Sequence, residues 1–133
     1  MTGTTLDHVN IQTLDVAGTA RFFADVLDLR AGPPFPGADM AQVTWMFDES
    51  DRPVIHITAP GMTFAGDPAP VAGSSTGALH HVAFACTGHD AMIARLERLG
   101  LAFRRRDIAP IGLRQIFVHE PNGVLLELNY REP

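Results

Sequence analysis

The chain has 133 residues, 46% hydrophobic and 19% charged, which suits one globular domain with a buried core. A formal net charge of −5 and a single arginine run, Arg104-Arg105-Arg106, exclude a surface that works by neutralising nucleic-acid phosphates. The lone cysteine, Cys86, excludes an internal disulfide and a thiolate metal cluster, and reads as a small buried side chain rather than a nucleophile.

The polar start Met1-Thr2-Gly3-Thr4-Thr5 lacks the basic and apolar regions of a signal peptide, and no segment has the length of a membrane span. A cytoplasmic protein with no membrane or nucleic-acid partner is expected. Residues 6–13 alternate, with His8, Asn10 and Gln12 on one face and Val9 and Ile11 on the other, the two-residue period of a strand. Asp15 is placed to cap a helix over residues 16–28, whose Phe22, Phe23, Val26 and Leu27 cover the oily face. The stretch 30–39 holds Gly32, Pro33, Pro34, Pro36 and Gly37 and is expected to be a loop, a candidate lid. Strands follow at 42–48, with Val43, Trp45 and Phe47 on one face, and at 53–59, with His56 between Ile55 and Ile57.

Residues 60–77 shift to Gly, Pro, Ala and Ser and read as a connector. Beyond it the pattern repeats: a strand at 79–86, a helix at 90–99 built on Met92, Ile93, Leu96 and Leu99 with Gly100 at its end, and an edge strand at 101–107. Strands at 113–119 and 124–130 are joined by Glu120-Pro121-Asn122-Gly123, which suits a tight hairpin turn. The expectation is one domain over 1–133 made of two units, about 5–59 and 78–131.

Leu79-His80-His81-Val82 repeats Leu6-Asp7-His8-Val9 and puts His81 in the place of His8, 73 positions on. His81 then faces away from the helix, and His80, in the place of Asp7, faces toward it. Aligning Pro53-Val54-Ile55-His56-Ile57 with Val124-Leu125-Leu126-Glu127-Leu128 makes His56 and Glu127 equivalent. By the strand period all four residues lie on the face that no helix covers. If each unit curls into a cup and the cups face each other, His8, His56, His81 and Glu127 converge, and three imidazoles with one carboxylate suit a divalent transition metal. His89 and His119, at a helix start and a turn, read as ordinary hydrogen-bonded side chains. Trp45 and Phe35 serve either packing or substrate contact, Arg114 either the surface or an anionic substrate, and Arg104-Arg105-Arg106 either a solvated edge or an anchor for phosphate or carboxylate.

At these residues the sequence resembles the vicinal oxygen chelate superfamily, which includes glyoxalase I, methylmalonyl-CoA epimerase, fosfomycin-resistance transferases, bleomycin-resistance proteins and extradiol dioxygenases. The resemblance rests on Leu6-Asp7-His8-Val9, Phe22-Phe23 through Val26-Leu27-Asp28-Leu29, His81-Val82-Ala83-Phe84, and Glu120 through Leu128. It implies an α+β fold of two tandem βαβββ modules forming a cupped mixed half-barrel around one metal (Zn, Ni, Mn or Fe(II)), in a homodimer. His8, His81 and Glu127 match the family's ligands. His56 stands where glyoxalase I usually has Glu and the epimerase Gln.

Four protein ligands on an octahedral ion would leave two adjacent positions for a small substrate that chelates through two neighbouring oxygens. The expected function is a glyoxalase-I-like lyase or isomerase in which Glu127 or His56 moves the proton. The alternatives are a non-haem Fe(II) extradiol-type dioxygenase using His8, His81 and Glu127, and a protein that sequesters a drug or metabolite. A fosfomycin-type transferase stays open as well.

Overall fold

A computed structural model of the chain describes residues 2–61 and 76–132. The chain divides into two compact units, Met1–Gly73 and Ser74–Pro133. The boundary falls inside the expected connector, of which residues 62–75 lie outside the described residues.

In the first unit β1 (Val9–Gln12) leads into α1 (Val16–Leu27), followed by β2 (Arg30–Gly32), β3 (Val43–Phe47) and β4 (Pro53–Thr58). The sheet order is β1-β4-β3-β2, with β1 parallel to β4 and the other pairs antiparallel. The parallel pairing follows from the crossover: α1 carries the chain over the sheet before the antiparallel strands return it beside β1. Asp15 caps α1 by accepting from the Gly18 N–H at 2.9 Å, and Asp28 closes it in the left-handed conformation. A Cβ at Gly18 would force the Asp15 carboxylate to shift from its present position.

Val16, Thr19, Ala20, Phe23 and Val26 form the buried stripe of α1, which packs on β3 and β4, where Met46, Ile55 and Ile57 are buried. Each fully buried aliphatic or aromatic side chain contributes roughly 1.5–3 kcal/mol. Phe22 and Leu27, expected in that stripe, are only half-buried, since they lie at its margins on a 3.6-residue turn.

The stretch 30–39 differs from the expectation of a loop throughout. Arg30–Gly32 is a strand pairing with β3, because a three-residue strand tolerates a terminal glycine and hydrogen-bonds before the prolines begin. Gly32 faces the Phe47 ring so closely that a Cβ there would press on it at 3.0 Å.

The second unit repeats the plan: β5 (Val82–Cys86), α2 (His89–Arg98), β6 (Arg104–Ile108), a 3-10 turn at Ala109–Ile111, β7 (Leu113–His119) and β8 (Leu125–Tyr130). The order is β5-β8-β7-β6, again with one parallel pair, β5 with β8. Met92 and Leu96 of α2 are buried, as are Ile116, Val118, Leu126, Leu128 and Tyr130 of the sheet, whereas Leu99, expected in the helix stripe, is 39% exposed beyond the helix end. The α2 N-cap residue is Gly88, which has no side chain to offer. The Glu132 carboxylate takes its place, accepting from the N–H groups of Gly88 (2.5 Å) and His89 (2.9 Å).

The duplication reaches individual hydrogen bonds. In the β3–β4 turn, Asp48 Oδ1 accepts from the N–H of Ser50 (2.9 Å) and Arg52 (3.0 Å). In the β7–β8 turn, Glu120 Oε1 accepts from the N–H of Asn122 (2.7 Å) and Val124 (2.9 Å). Both turns close with the N–H of the first residue on the carbonyl of the fifth, and both place the fourth residue at positive φ, 59° at Asp51 and 88° at Gly123. Two open four-stranded mixed sheets, each with one helix, thus realise the tandem βαβββ plan. Among the described residues no helix is long and apolar enough to cross a membrane.

Candidate functional site

In the first module the register sets Asn10 and Trp45 on either side of His56, so the three share the face opposite Ile55, Ile57 and Met46. His8, the residue before β1, extends the same face. Its ring stacks on His56 with centroids 3.5 Å apart and planes at 11°, and Trp45 stacks on the other side of His56 at 4.1 Å and 11°. His56 is thereby 8% exposed, and its Nε2 is buried without a hydrogen-bond partner among the described residues. Burial pushes the His56 imidazole below the usual histidine range, and the neighbouring His8 adds to the effect. A neutral ring with a free buried nitrogen has the chemistry of a metal ligand, and an orphaned buried polar atom is costly without such a partner. The His8 Nδ1 lies 2.5 Å from Asp7 Oδ2. That hydrogen bond holds the Asp7 carboxyl below its ordinary range.

In the second module Glu127 lies opposite Ala83 on one side and Phe117 on the other. Its face includes Leu125 and Asn129, and the opposite face carries the buried Leu126, Leu128 and Tyr130. His81, just before β5, brings its Nε2 to 3.8 Å from Glu127 Oε1, with side chains 38% and 15% exposed. The other Glu127 oxygen, Oε2, accepts from Asn129 Nδ2 at 3.0 Å, and Asn129 Oδ1 accepts from Gln115 Nε2 at 3.1 Å. A relay of amides thus anchors one carboxylate oxygen and leaves the other toward His81.

The four residues expected to bind metal therefore stand as two pairs, His8 with His56 and His81 with Glu127, on equivalent strands. Val9 pairs with Ile55 and Val82 with Leu126, so the registers repeat and the equivalence of His56 with Glu127 holds in the sheets. Among the described residues no group of three or more His, Cys, Asp or Glu side chains is gathered closely enough to hold an ion alone. Each module offers two donors.

His80, expected on the helix side, is exposed and lies against His81. Residues 79–81 precede β5, where strand alternation does not govern direction, and the exposed His80 ring turns edge-on to His81, with the two Nδ1 atoms 2.9 Å apart. Of the candidate substrate contacts, Trp45 lies on the same face as His56 and stacks on it, and Phe35 is 64% exposed in the turn after β2. Arg114 lies opposite Tyr130, on the side away from Glu127, where it meets Asp90 at 3.5 Å and Asp107 at 3.9 Å. Its guanidinium is engaged there, and it does not share the Glu127 face. His89 is buried against Tyr130 with its Nδ1 2.9 Å from Asp90, in keeping with a structural reading. His119 is exposed at the end of β7.

Sequence reading assigned no role to Asp7, Asn129 or Gln115 around the four donors. The signal for Asn129 was its position two residues after Glu127 on one strand. Asp7 and His80 gave none, because contact between neighbouring residues outside a strand depends on side-chain rotation.

A search of curated proteins finds no match to the chain. Among solved structures, it is similar to a lactoylglutathione lyase from Agrobacterium tumefaciens (18% identity, TM-score 0.67, covering 96% of this chain and 94% of that one). It is similar also to a glyoxalase/dioxygenase from Nostoc punctiforme (13%, TM-score 0.71, 97% and 92%) and a virulence protein from Salmonella typhimurium (19%, TM-score 0.72, 99% and 100%). At these identities the likeness shows the fold. The model of the Glyoxalase/Bleomycin resistance protein/Dioxygenase superfamily matches residues 5–128, nearly the whole sequence, and the chain belongs to that superfamily.

Proposed function

We propose that the chain is a metal-dependent enzyme of glyoxalase type, a lyase or isomerase whose small substrate chelates the ion through two adjacent oxygens. The reading takes His8, His56, His81 and Glu127 as the ligands of one divalent transition metal, Zn, Ni, Mn or Fe(II), in a homodimer that the family resemblance implies. The observation that carries it is the paired donor geometry. A neutral, buried His56 Nε2 without a partner lies in one module, and in the other a carboxylate is tethered at one oxygen and turned toward His81 at the other. Either pair alone is too few donors for such an ion, so the reading requires both. The name of the Agrobacterium neighbour, a lactoylglutathione lyase, agrees with the reaction class.

When bound, the ion would act as a Lewis acid, drawing charge onto the substrate oxygens. Three neutral imidazoles and one carboxylate would leave more positive charge at the centre than a two-carboxylate set, which suits a substrate that becomes anionic on losing a proton. Glu127 takes the proton. Asn129 fixes its Oε2, so Oε1 would give up its place among the ligands to receive a proton from carbon and return it to the neighbouring carbon. His56, clamped between His8 and Trp45, cannot swing to follow a proton and serves as a fixed neutral donor. Trp45 also excludes water from one side of that donor.

Protein purified without chelators and subjected to elemental analysis is expected to carry a stoichiometric divalent metal, lost in His81→Ala and Glu127→Ala. Loaded protein is then expected to catalyse deuterium exchange on hydroxyketones or turnover of thiol adducts of 2-oxoaldehydes. Metal binding with neither exchange nor turnover would defeat the lyase reading, and a yellow ring-cleavage product from catechol and oxygen would replace it with the dioxygenase.

A further inference from the structure

The three consecutive arginines of β6 divide between the two faces of the second sheet. Arg105 lies opposite Ile116, on the same side as Arg114, and its charge bears on Asp90. Arg104 lies opposite Phe117, which lies opposite Glu127. Arg106 lies opposite Gln115, which lies opposite Asn129. Directly opposed residues share a face, so Arg104 and Arg106 leave the sheet on the Glu127 side. Both are exposed, and among the described residues neither has an acidic partner, although the chain as a whole carries a net charge of −5.

Two like charges about 7 Å apart along one edge strand repel, and among the described residues no acidic side chain forms an ion pair with either. One row across the sheet reads cation, aromatic ring, carboxylate: Arg104, Phe117, Glu127. Its ends are two strand spacings apart, about 10 Å. A small organic body lying over Phe117 would span from one to the other.

We infer that Arg104 and Arg106 form an oxyanion subsite beside the metal centre, so the substrate carries a carboxylate or phosphate joined through a short apolar body to its chelating oxygens. The subsite rests on the reading of Glu127 as a metal ligand. Arg104 meets the anion end-on along the Phe117 row, and Arg106 reaches it from the next row, beside the Gln115 amide. Guanidinium forks suit planar oxyanions, and such charge-assisted bonds are among the stronger ones available. The aromatic ring between the arginine row end and Glu127 selects a flat or apolar spacer over a polar one.

The test compares chelating probes that differ in one group. Metal content is measured for the wild-type protein, the Arg104→Gln/Arg106→Gln double variant and Arg105→Gln. Each is then titrated calorimetrically with catechol, with 3,4-dihydroxybenzoate and with 3,4-dihydroxyphenylphosphonate. The wild type is expected to bind one of the two anionic probes at least about 10-fold more tightly than catechol, and the group with the larger gain identifies the anion. In the double variant that advantage should disappear while metal content and catechol affinity stay as they were. Arg105→Gln should keep the advantage. An advantage absent in the wild type, or surviving intact in the double variant, overturns the subsite while leaving the metal reading in place. Protein that binds no metal overturns the metal reading, and the subsite with it.

Discussion

Asp7 and His80 occupy equivalent positions, each one residue before a ligand-type histidine, and each touches the Nδ1 of that histidine, at 2.5 Å and 2.9 Å. A hydrogen on Nδ1 donated to Asp7 or to His80 leaves the lone pair on Nε2, the nitrogen His81 turns toward Glu127. Different side chains thus do one job in the two modules: a carboxylate in the first and an imidazole in the second. Partners of this kind typically change metal affinity 10–100-fold. Asp7→Ala and His80→Ala are each expected to weaken metal binding by about 10-fold or more, read by competition with a chromogenic chelator. The Asp7 change should be the larger, because a charged acceptor holds an imidazole N–H more strongly than a neutral one. Unchanged affinity in both variants would show that neither neighbour orients its histidine.

At the scale of elements, the turns after β3 and β7 carry more of the fold than their length suggests. Glu120 is 2% exposed, yet its carboxylate is fully used: Oε1 accepts from two backbone N–H groups, and Oε2 accepts from Asn122 Nδ2 at 2.7 Å. The turn thereby sets the register of β7 on β8, which carries Phe117 opposite Glu127 and Gln115 opposite Asn129. Glu120→Ala would leave two backbone donors without their acceptor, at about 1–3 kcal/mol. The expected result is a lower urea midpoint with an unchanged slope, and weaker metal binding as the Glu127 strand loosens. Asp48 does the same for β3 and β4 from the surface, supported by Arg52, whose Nε donates to its second oxygen at 3.1 Å. Glu132 belongs with these devices, since it ties the chain after β8 to the start of α2.

At the scale of the whole molecule, the interior of the second unit sets a limit on stability at high pH. Burial raises the Cys86 thiol above its ordinary value of 9.0 and raises the Tyr130 hydroxyl above 10.0; Cys86 adds to the Tyr130 shift, while the Tyr130 hydrogen bond partly offsets that of Cys86. Above about pH 9 the unfolded chain loses these protons while the folded chain keeps them. The folded state then binds more protons, so stability falls as pH rises through that window and is complete below it. The denaturation midpoint is expected to be level from pH 7 to 8.5 and to fall between pH 9 and 11, less steeply in Cys86→Ala. A midpoint that stays level to pH 11 would show that both groups ionise freely in the folded protein.

The amino-acid pattern by itself determined the duplication and the order of the helices and of the strands other than β2, and it singled out the four residues proposed as donors. Those features depend on local periods, and a period of two or of 3.6 is written in adjacent residues. The tight turn at Glu120 through Gly123 was legible for the same reason. The tertiary structure decided what depends on contacts between strands or on rotation about single side-chain bonds. It turned Arg30–Gly32 into an edge strand, stacked His8 and Trp45 on His56, and tied Asn129 and Gln115 to Glu127. It drew His80 onto His81 and placed Arg114 away from Glu127 while aligning Arg104 with it. Period alone tells which face a residue leaves by; which neighbours it meets there follows only from the register, set by turns and packing far along the chain.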